Sequence, residues 1–127
     1  MTEVEMTIPF TPPSVNHYWL KRRGTNSRYI SKEGIAFKQA ILLMAKGRTI
    51  APQTKQGQLK VRYALWVRVV LGAKERGDAD NFLKPIGDGL VNAGVIHSDA
   101  RIKVLHIEMD DEDRQNPRTE ICVQVIS

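Results

Sequence analysis

From Leu59 to Leu71 every odd position is apolar: Leu59, Val61, Tyr63, Leu65, Val67, Val69 and Leu71. Lys60, Arg62, Trp66 and Arg68 take most of the even positions. Alternation with a period of two over this length demands a β-strand over 59–71 with one face in the core. In a helix the same residues would be scattered around the whole circumference. The other face carries charge and a tryptophan, so it is either a binding face or one covered by a partner. A single strand cannot satisfy its own backbone, so the remainder of the 127 residues has to supply its neighbours.

The neighbours are legible. Val4, Met6, Ile8 and Phe10 alternate with Glu5, Thr7 and Pro9, a short half-buried strand ended by TPPS at 11–14. Residues 14–32 read as a loop. Ser31 suits a helix N-cap, with Glu33 in the first turn, and Phe37, Ile41, Met44 and Ala45 repeat at helical spacing until Lys46 and Gly47. Residues 48–57 read as a loop. Leu83, Ile86, Leu90 and Ala93 mark a second helix, ended by Asn92–Gly94. Pro85 is tolerated only in a first turn, so regular helix begins near Lys84 and residues 80–83 form an irregular lead-in. Ile102, Val104, Leu105, Ile107 and Met109 give a strand that is apolar on both sides, and Ile121, Val123 and Val125 a last strand. With QNP between them, these two read as a hairpin. The order is β-α-β-α-β-β, an α+β single domain over 1–127 with a mixed sheet and two main helices.

Charge narrows the partner. The net charge is +5, and five of the 14 acids lie together in EMDDED, 108–113. The rest of the surface is strongly basic, which suits a polyanion such as nucleic acid. The 14–32 loop interleaves Lys21, Arg22, Arg23, Arg28 and Lys32 with Tyr18, Trp19 and Tyr29. Such a mixture grips phosphates and stacks on bases, or else packs its aromatics onto the core. The acidic run lacks the glycine and spacing of an EF-hand loop and reads as a solvated hairpin tip, turned away from a duplex. Cys122 is the single cysteine, which fits a reducing cytoplasm. MTEVEMTIPF has too short an apolar run for a signal peptide, and AILLMA at 40–45 is far too short for a membrane span.

The chemistry is concentrated in GDADNFLKPIGDGL, 77–90. Asp78 and Asp80 stand two apart where a strand gives way to a helix. In an extended segment both would point the same way and repel, unless a hard cation such as Mg²⁺ or Mn²⁺ sat between them. A third acid usually completes such a site. Asp99, in the turn HSDARI, is one candidate. Asp88 is the other, although it stands four residues after Lys84 and could simply pair with it. His97 could be a ligand or base, but a lone turn histidine is more often neither.

The pattern D-x-D-N-x-x-K at Asp78–Lys84, then GDGL, then SDARI, resembles the RusA-type Holliday-junction resolvases. PPSVN at 12–16, SKEG at the start of the first helix and the chain length are similar too, and the likeness runs from about Thr7 to about Val125. The resemblance implies a homodimeric endodeoxyribonuclease of phage and prophage origin, acting in recombination and repair in the cytoplasm of a bacterial or phage-infected cell. It implies binding of four-way junctions and paired nicks in opposed strands, with Mg²⁺ as cofactor or Mn²⁺ in its place. Carried over by position, Asp78, Asp80 and Asp99 are the essential metal-binding acids and Lys84 the active-site lysine. Besides the loop's Lys21, Arg22, Arg23 and Arg28, the segment GAKERGDAD offers Lys74 and Arg76 to DNA.

Three other readings compete: a nuclease for a different branched or flapped DNA, a non-catalytic DNA-binding protein, and a small-molecule phosphohydrolase. A pure binder has no use for acids gathered near DNA, because they repel phosphate. A phosphohydrolase should show a substrate-pocket motif, and none is visible.

Overall fold

The computed structural model describes residues 1–14, 18–21, 23–25, 27–73, 75 and 78–126. The elements in chain order are β1 (Glu3–Ile8), β2 (Trp19–Lys21), β3 (Arg28–Ile30), α1 (Lys32–Ala45), α2 (Lys55–Lys60), β4 (Tyr63–Val70), α3 (Leu83–Asn92), β5 (Ile102–Asp110) and β6 (Arg118–Val125). Short 3₁₀ turns at Ala79–Phe82 and Asp99–Arg101 precede α3 and β5. The domain is α+β with a mixed sheet, as expected, and its element order differs from β-α-β-α-β-β by the β2–β3 hairpin and α2. Among the described residues no helix is long and apolar enough to cross a membrane.

The main sheet runs β1-β6-β4-β5. β6 is antiparallel to both β1 and β4, and β5 is parallel to β4, so the sheet is mixed. Val4, Met6 and Ile8 of β1, Tyr63, Leu65, Val67 and Val69 of β4, and Ile121 and Val123 of β6 bury their side chains against α1 and α3. The helices answer with Phe37, Ile41, Ile86 and Leu90. The Ser31 hydroxyl caps α1 by accepting from the Gly34 N–H at 3.1 Å. At the other end Lys46 and Gly47 adopt positive φ, and the Arg48 guanidinium donates to the carbonyls of Met44 and Ala45.

Four expectations are corrected, each for a physical reason. The long strand begins at Tyr63, not Leu59, because Thr54 accepts from the Gly57 N–H and caps α2. Leu59 therefore sits on a short helix and is largely exposed. The basic loop contains the β2–β3 hairpin, with Lys21 directly opposite Arg28. The last two strands are not a hairpin: β6 lies on one side of β4 and β5 on the other. A hairpin closed by 111–117 would set Glu108 opposite Glu120. In the sheet, Arg68 of β4 stands between those two acids in register, pairing with Glu120 and with Asp110. Arg118 pairs with Asp113 and Glu120, so part of the acidic run joins a network of ion pairs over the end of β4, while Glu108, Asp111 and Glu112 stay exposed as expected of a solvated tip.

Candidate active site

The chain leaves β4 through a tied-down bend. Glu75 accepts from the Gly72 N–H and the Thr11 hydroxyl, and Arg114 donates to the Gly72 carbonyl at 2.9 Å. Asp78 follows in extended conformation, and its carbonyl accepts from the Asn81 N–H at 3.0 Å, which closes the first 3₁₀ turn. Phe82 is buried beneath the turn, and Pro85 falls in the first turn of α3 as its missing N–H requires.

The turn changes the geometry expected for the two acids. Asp78 alone is extended, whereas Asp80 lies inside a turn of about three residues per revolution, so residues two apart no longer share a direction. Asp80 lines a cleft of about 300 Å³ with Leu83, Lys84, Gly87, Asp99, Ile102 and Leu105. Asp99 reaches it from the second 3₁₀ turn, which Ser98 caps by accepting from the Ala100 N–H. Asp99 packs against α3 at Gly87, where a Cβ would stand in ordinary contact, 3.4 Å from Asp99 Cβ and 3.5 Å from its Oδ2. Asp78 is exposed and does not line the cleft. Among the described residues, Asp78, Asp80 and Asp99 do not gather three oxygens within 4.8 Å of one another.

The donor set suits a hard cation. Two carboxylates on one wall-to-wall cleft, with volume left for water and a phosphate oxygen, match the way Mg²⁺ is commonly held, by one or two carboxylates and several waters. Asp80 and Asp99 are the cleft acids that could hold such an ion.

Lys84 is half-exposed at the cleft and pairs with Asp88 at 3.1 Å, one helical turn on. Asp88 is therefore engaged by the lysine, and its second oxygen accepts from the Tyr18 hydroxyl at 3.0 Å. A more open cavity of about 510 Å³ shares Lys84 and Asp99 and is also lined by Lys38, Asp88, His97 and Ser98. His97 has both ring nitrogens committed. Nε2 donates to the Gln58 carbonyl at 3.0 Å, which leaves Nδ1 to accept from the Tyr63 hydroxyl at 2.9 Å. It pins α2 to the turn that carries Asp99. Lys38 escaped the sequence reading, and Tyr18 entered it only as one of the loop's aromatics. Lys38 had one signal, its place beside core-facing Phe37 on α1; Tyr18 had none beyond being aromatic.

Of the proposed DNA contacts, Lys21, Arg23 and Arg28 are exposed on or beside the β2–β3 hairpin. Arg22, Lys74 and Arg76 lie outside the described residues. Like charges directly opposite on paired strands repel unless an anion lies between them, so the Lys21–Arg28 pair favours a polyanionic ligand.

Two comparisons bear on the site. The family described as Endodeoxyribonuclease RusA matches residues 9–124. The crossover junction endodeoxyribonuclease rusA of Enterobacteria phage HK97 is 29% identical over 107 residues, which covers 84% of this chain and 82% of that protein.

Proposed function

Since the chain belongs to the RusA endodeoxyribonuclease family, we propose that it binds four-way DNA junctions as a homodimer and nicks opposed strands with Mg²⁺ held by Asp80, Asp99 and Asp78. The observation that carries this reading is the meeting of Asp80, Asp99 and Lys84 on one cleft, with an exposed basic hairpin joined to Lys84 through Tyr18 and Asp88. A bound Mg²⁺ supplies a coordinated water of lowered pKa and positive charge against the scissile phosphate. The chain's own residues do the rest. Lys84 presents a second positive charge at the mouth of the cleft, where it can stabilise the extra negative charge of the transition state. Lys21, Arg23 and Arg28 hold the backbone by phosphate contacts, which position DNA without reading sequence.

A twofold dimer matches a junction with two equivalent strands to cut. Val104 and Leu105 on edge strand β5, and Trp66 on the open sheet face, are partly exposed apolar residues that a second copy would cover. Light scattering should give about twice the 14.4 kDa chain mass at micromolar concentration. The reaction belongs in the cytoplasm of a bacterial or phage-infected cell, where junction DNA is found.

The test is cleavage of labelled four-way junction, linear duplex and flap DNA, with and without Mg²⁺. Paired, metal-dependent cuts in the junction alone support the reading. Equal cutting of linear duplex would discard the junction, and preferred cutting of the flap would reassign the substrate.

A further inference from the structure

Tyr18 is fully buried, yet its hydroxyl is aimed at the active-site helix and donates to Asp88 Oδ2 at 3.0 Å, while Asp88 Oδ1 holds Lys84 Nζ at 3.1 Å. Every part of this tyrosine is fixed. Its N–H donates to the Ser14 carbonyl and its own carbonyl accepts from the Ser31 N–H, both at 2.9 Å. Its ring meets Trp19 edge-on at 5.2 Å and lies so close to Gly34 that a Cβ there would stand 2.8 Å from Cδ1. Burial, and then the Asp88 carboxylate, push the phenol far above its ordinary pKa, so it remains a donor.

We propose that Tyr18 is a positioning residue: its hydroxyl fixes Asp88, and Asp88 in turn sets Lys84 at the mouth of the Asp80–Asp99 cleft. This rests on the nuclease reading of that cleft. Two features argue against a purely structural bond. A buried tyrosine could satisfy its hydroxyl on any nearby carbonyl, but this one spends it on a charged group that leads directly to the site's lysine. A free Lys84 side chain would sample several rotamers, and a carboxylate clamped from behind restricts it to one. Trp19, next in the chain, opens strand β2, so one anchor serves both the basic hairpin and the lysine.

The test uses Tyr18→Phe, which keeps the ring against Gly34, and Asp88→Asn, whose amide oxygen can still accept from Tyr18 while its charge is gone. Each is made alone and in a Lys84→Ala background. The single-turnover cleavage rate with Mg²⁺, metal-free junction binding and circular dichroism are measured. Each single variant should cut about tenfold more slowly, the scale of a lost hydrogen bond to a charged group, and bind junction within about twofold of wild type. In the Lys84→Ala background neither should slow cutting further, because what they position is absent. Equal slowing in both backgrounds, or weakened binding in step with cutting, overturns the proposal in favour of a structural role. Wild-type cutting by Asp88→Asn overturns it even if Tyr18→Phe fails to fold. If Lys84→Ala itself cuts at the wild-type rate, the reading of the cleft fails as well. An impaired Lys84→Ala beside an intact Tyr18→Phe removes this proposal alone.

Discussion

Gly87 and Gly89 stand two apart on α3, both buried, and alanine at the two positions should move stability in opposite directions. In a helix interior Ala is favoured over Gly by about 1 kcal/mol. At Gly87 nothing opposes the gain. The new methyl would find Asp99 Cβ at 3.4 Å and Oδ2 at 3.5 Å, which is ordinary contact. Gly87→Ala should therefore be up to about 1 kcal/mol more stable, or roughly 3–6 °C in Tm for a chain of this size. At Gly89 the methyl would overlap the δ-methyl of Ile41, a residue with no exposed surface and a filled core around it. Overpacking of that kind costs about 1–3 kcal/mol, so Gly89→Ala should come out neutral to about 2 kcal/mol less stable. Removing the δ-methyl should relieve it: Ile41→Val costs about 0.5–1.5 kcal/mol alone but less than that beside Gly89→Ala. Activity separates the pair again. The Gly87 methyl lies on the cleft wall against an Asp99 oxygen, where a hydrated cation needs room, so cleavage should fall about tenfold while Tm rises. Thermal melts without metal, followed by single-turnover cleavage, read both effects. A Gly87→Ala protein that cuts like wild type would refute the assignment of Asp99 to the cation. A Gly89→Ala protein stabilised by the full helix-propensity gain would refute the close approach of α1 and α3.

Other perturbations test other parts. Asp80→Asn keeps shape but loses the charge that suits Mg²⁺; cutting should drop by orders of magnitude while metal-free junction binding holds or tightens, and Asp111→Asn, remote from the cleft, should leave cutting nearly intact. A gel assay of binding without metal and cleavage with it checks both. Lys21→Ala with Arg28→Ala should weaken binding and flatten the slope of log K against log salt by about 0.9 per lost phosphate contact; an unchanged slope in a salt titration would leave the hairpin without a DNA role. In acid, three carboxyls of the sheet-end network matter. Arg118, and secondarily Arg68, hold Glu120 below its ordinary range; the Glu112 N–H and then Arg68 do so for Asp110, and Asn116 and then Arg118 for Asp113. A native pKa below the unfolded one gives stability that is present above the ordinary values of 3.8 and 4.5 and lost as pH falls through the native ones. Tm should therefore hold steady down to about pH 5 and drop below about pH 4, and Arg68→Gln should shrink that drop in a melting series.

Local signals carried the sequence reading furthest. Ser31, Pro85 and Gly94 marked helix ends because each acts through its own backbone or its immediate neighbours, and no distant contact overrides them. The acids of the cleft were legible as residues, and Asp80, Lys84 and Asp99 do meet. Their geometry was less so: period two assumes an extended chain, and at Asp80 the chain has already turned. Alternation in β6 showed that Ile121 and Val123 face the core but could not show which strands lie beside them, since pairing depends on residues far away in sequence. Thr54 was overlooked because the apolar alternation happens to continue through Leu59, a coincidence of phase over a single turn. The link from Tyr18 to Asp88 spans 70 positions, and no pattern within either segment announces it.

The insertion of β6 between β1 and β4 has a consequence for when the sheet that carries the cleft is complete. A ribosome delivers β1, β4, α3 and β5 first, and with them Asp80, Lys84 and Asp99. β4 and β5 pair directly, but β1 reaches β4 only through a strand that has not yet been made. The nascent chain thus carries its cleft-forming residues on a sheet with a gap in the middle, and most of its backbone ladder closes at once when β6 emerges. Contacts this distant in sequence close slowly. A chain stalled before Arg118 would hold the site's residues but not the frame that aims them. The sheet that carries the cleft is therefore complete only once translation has passed β6.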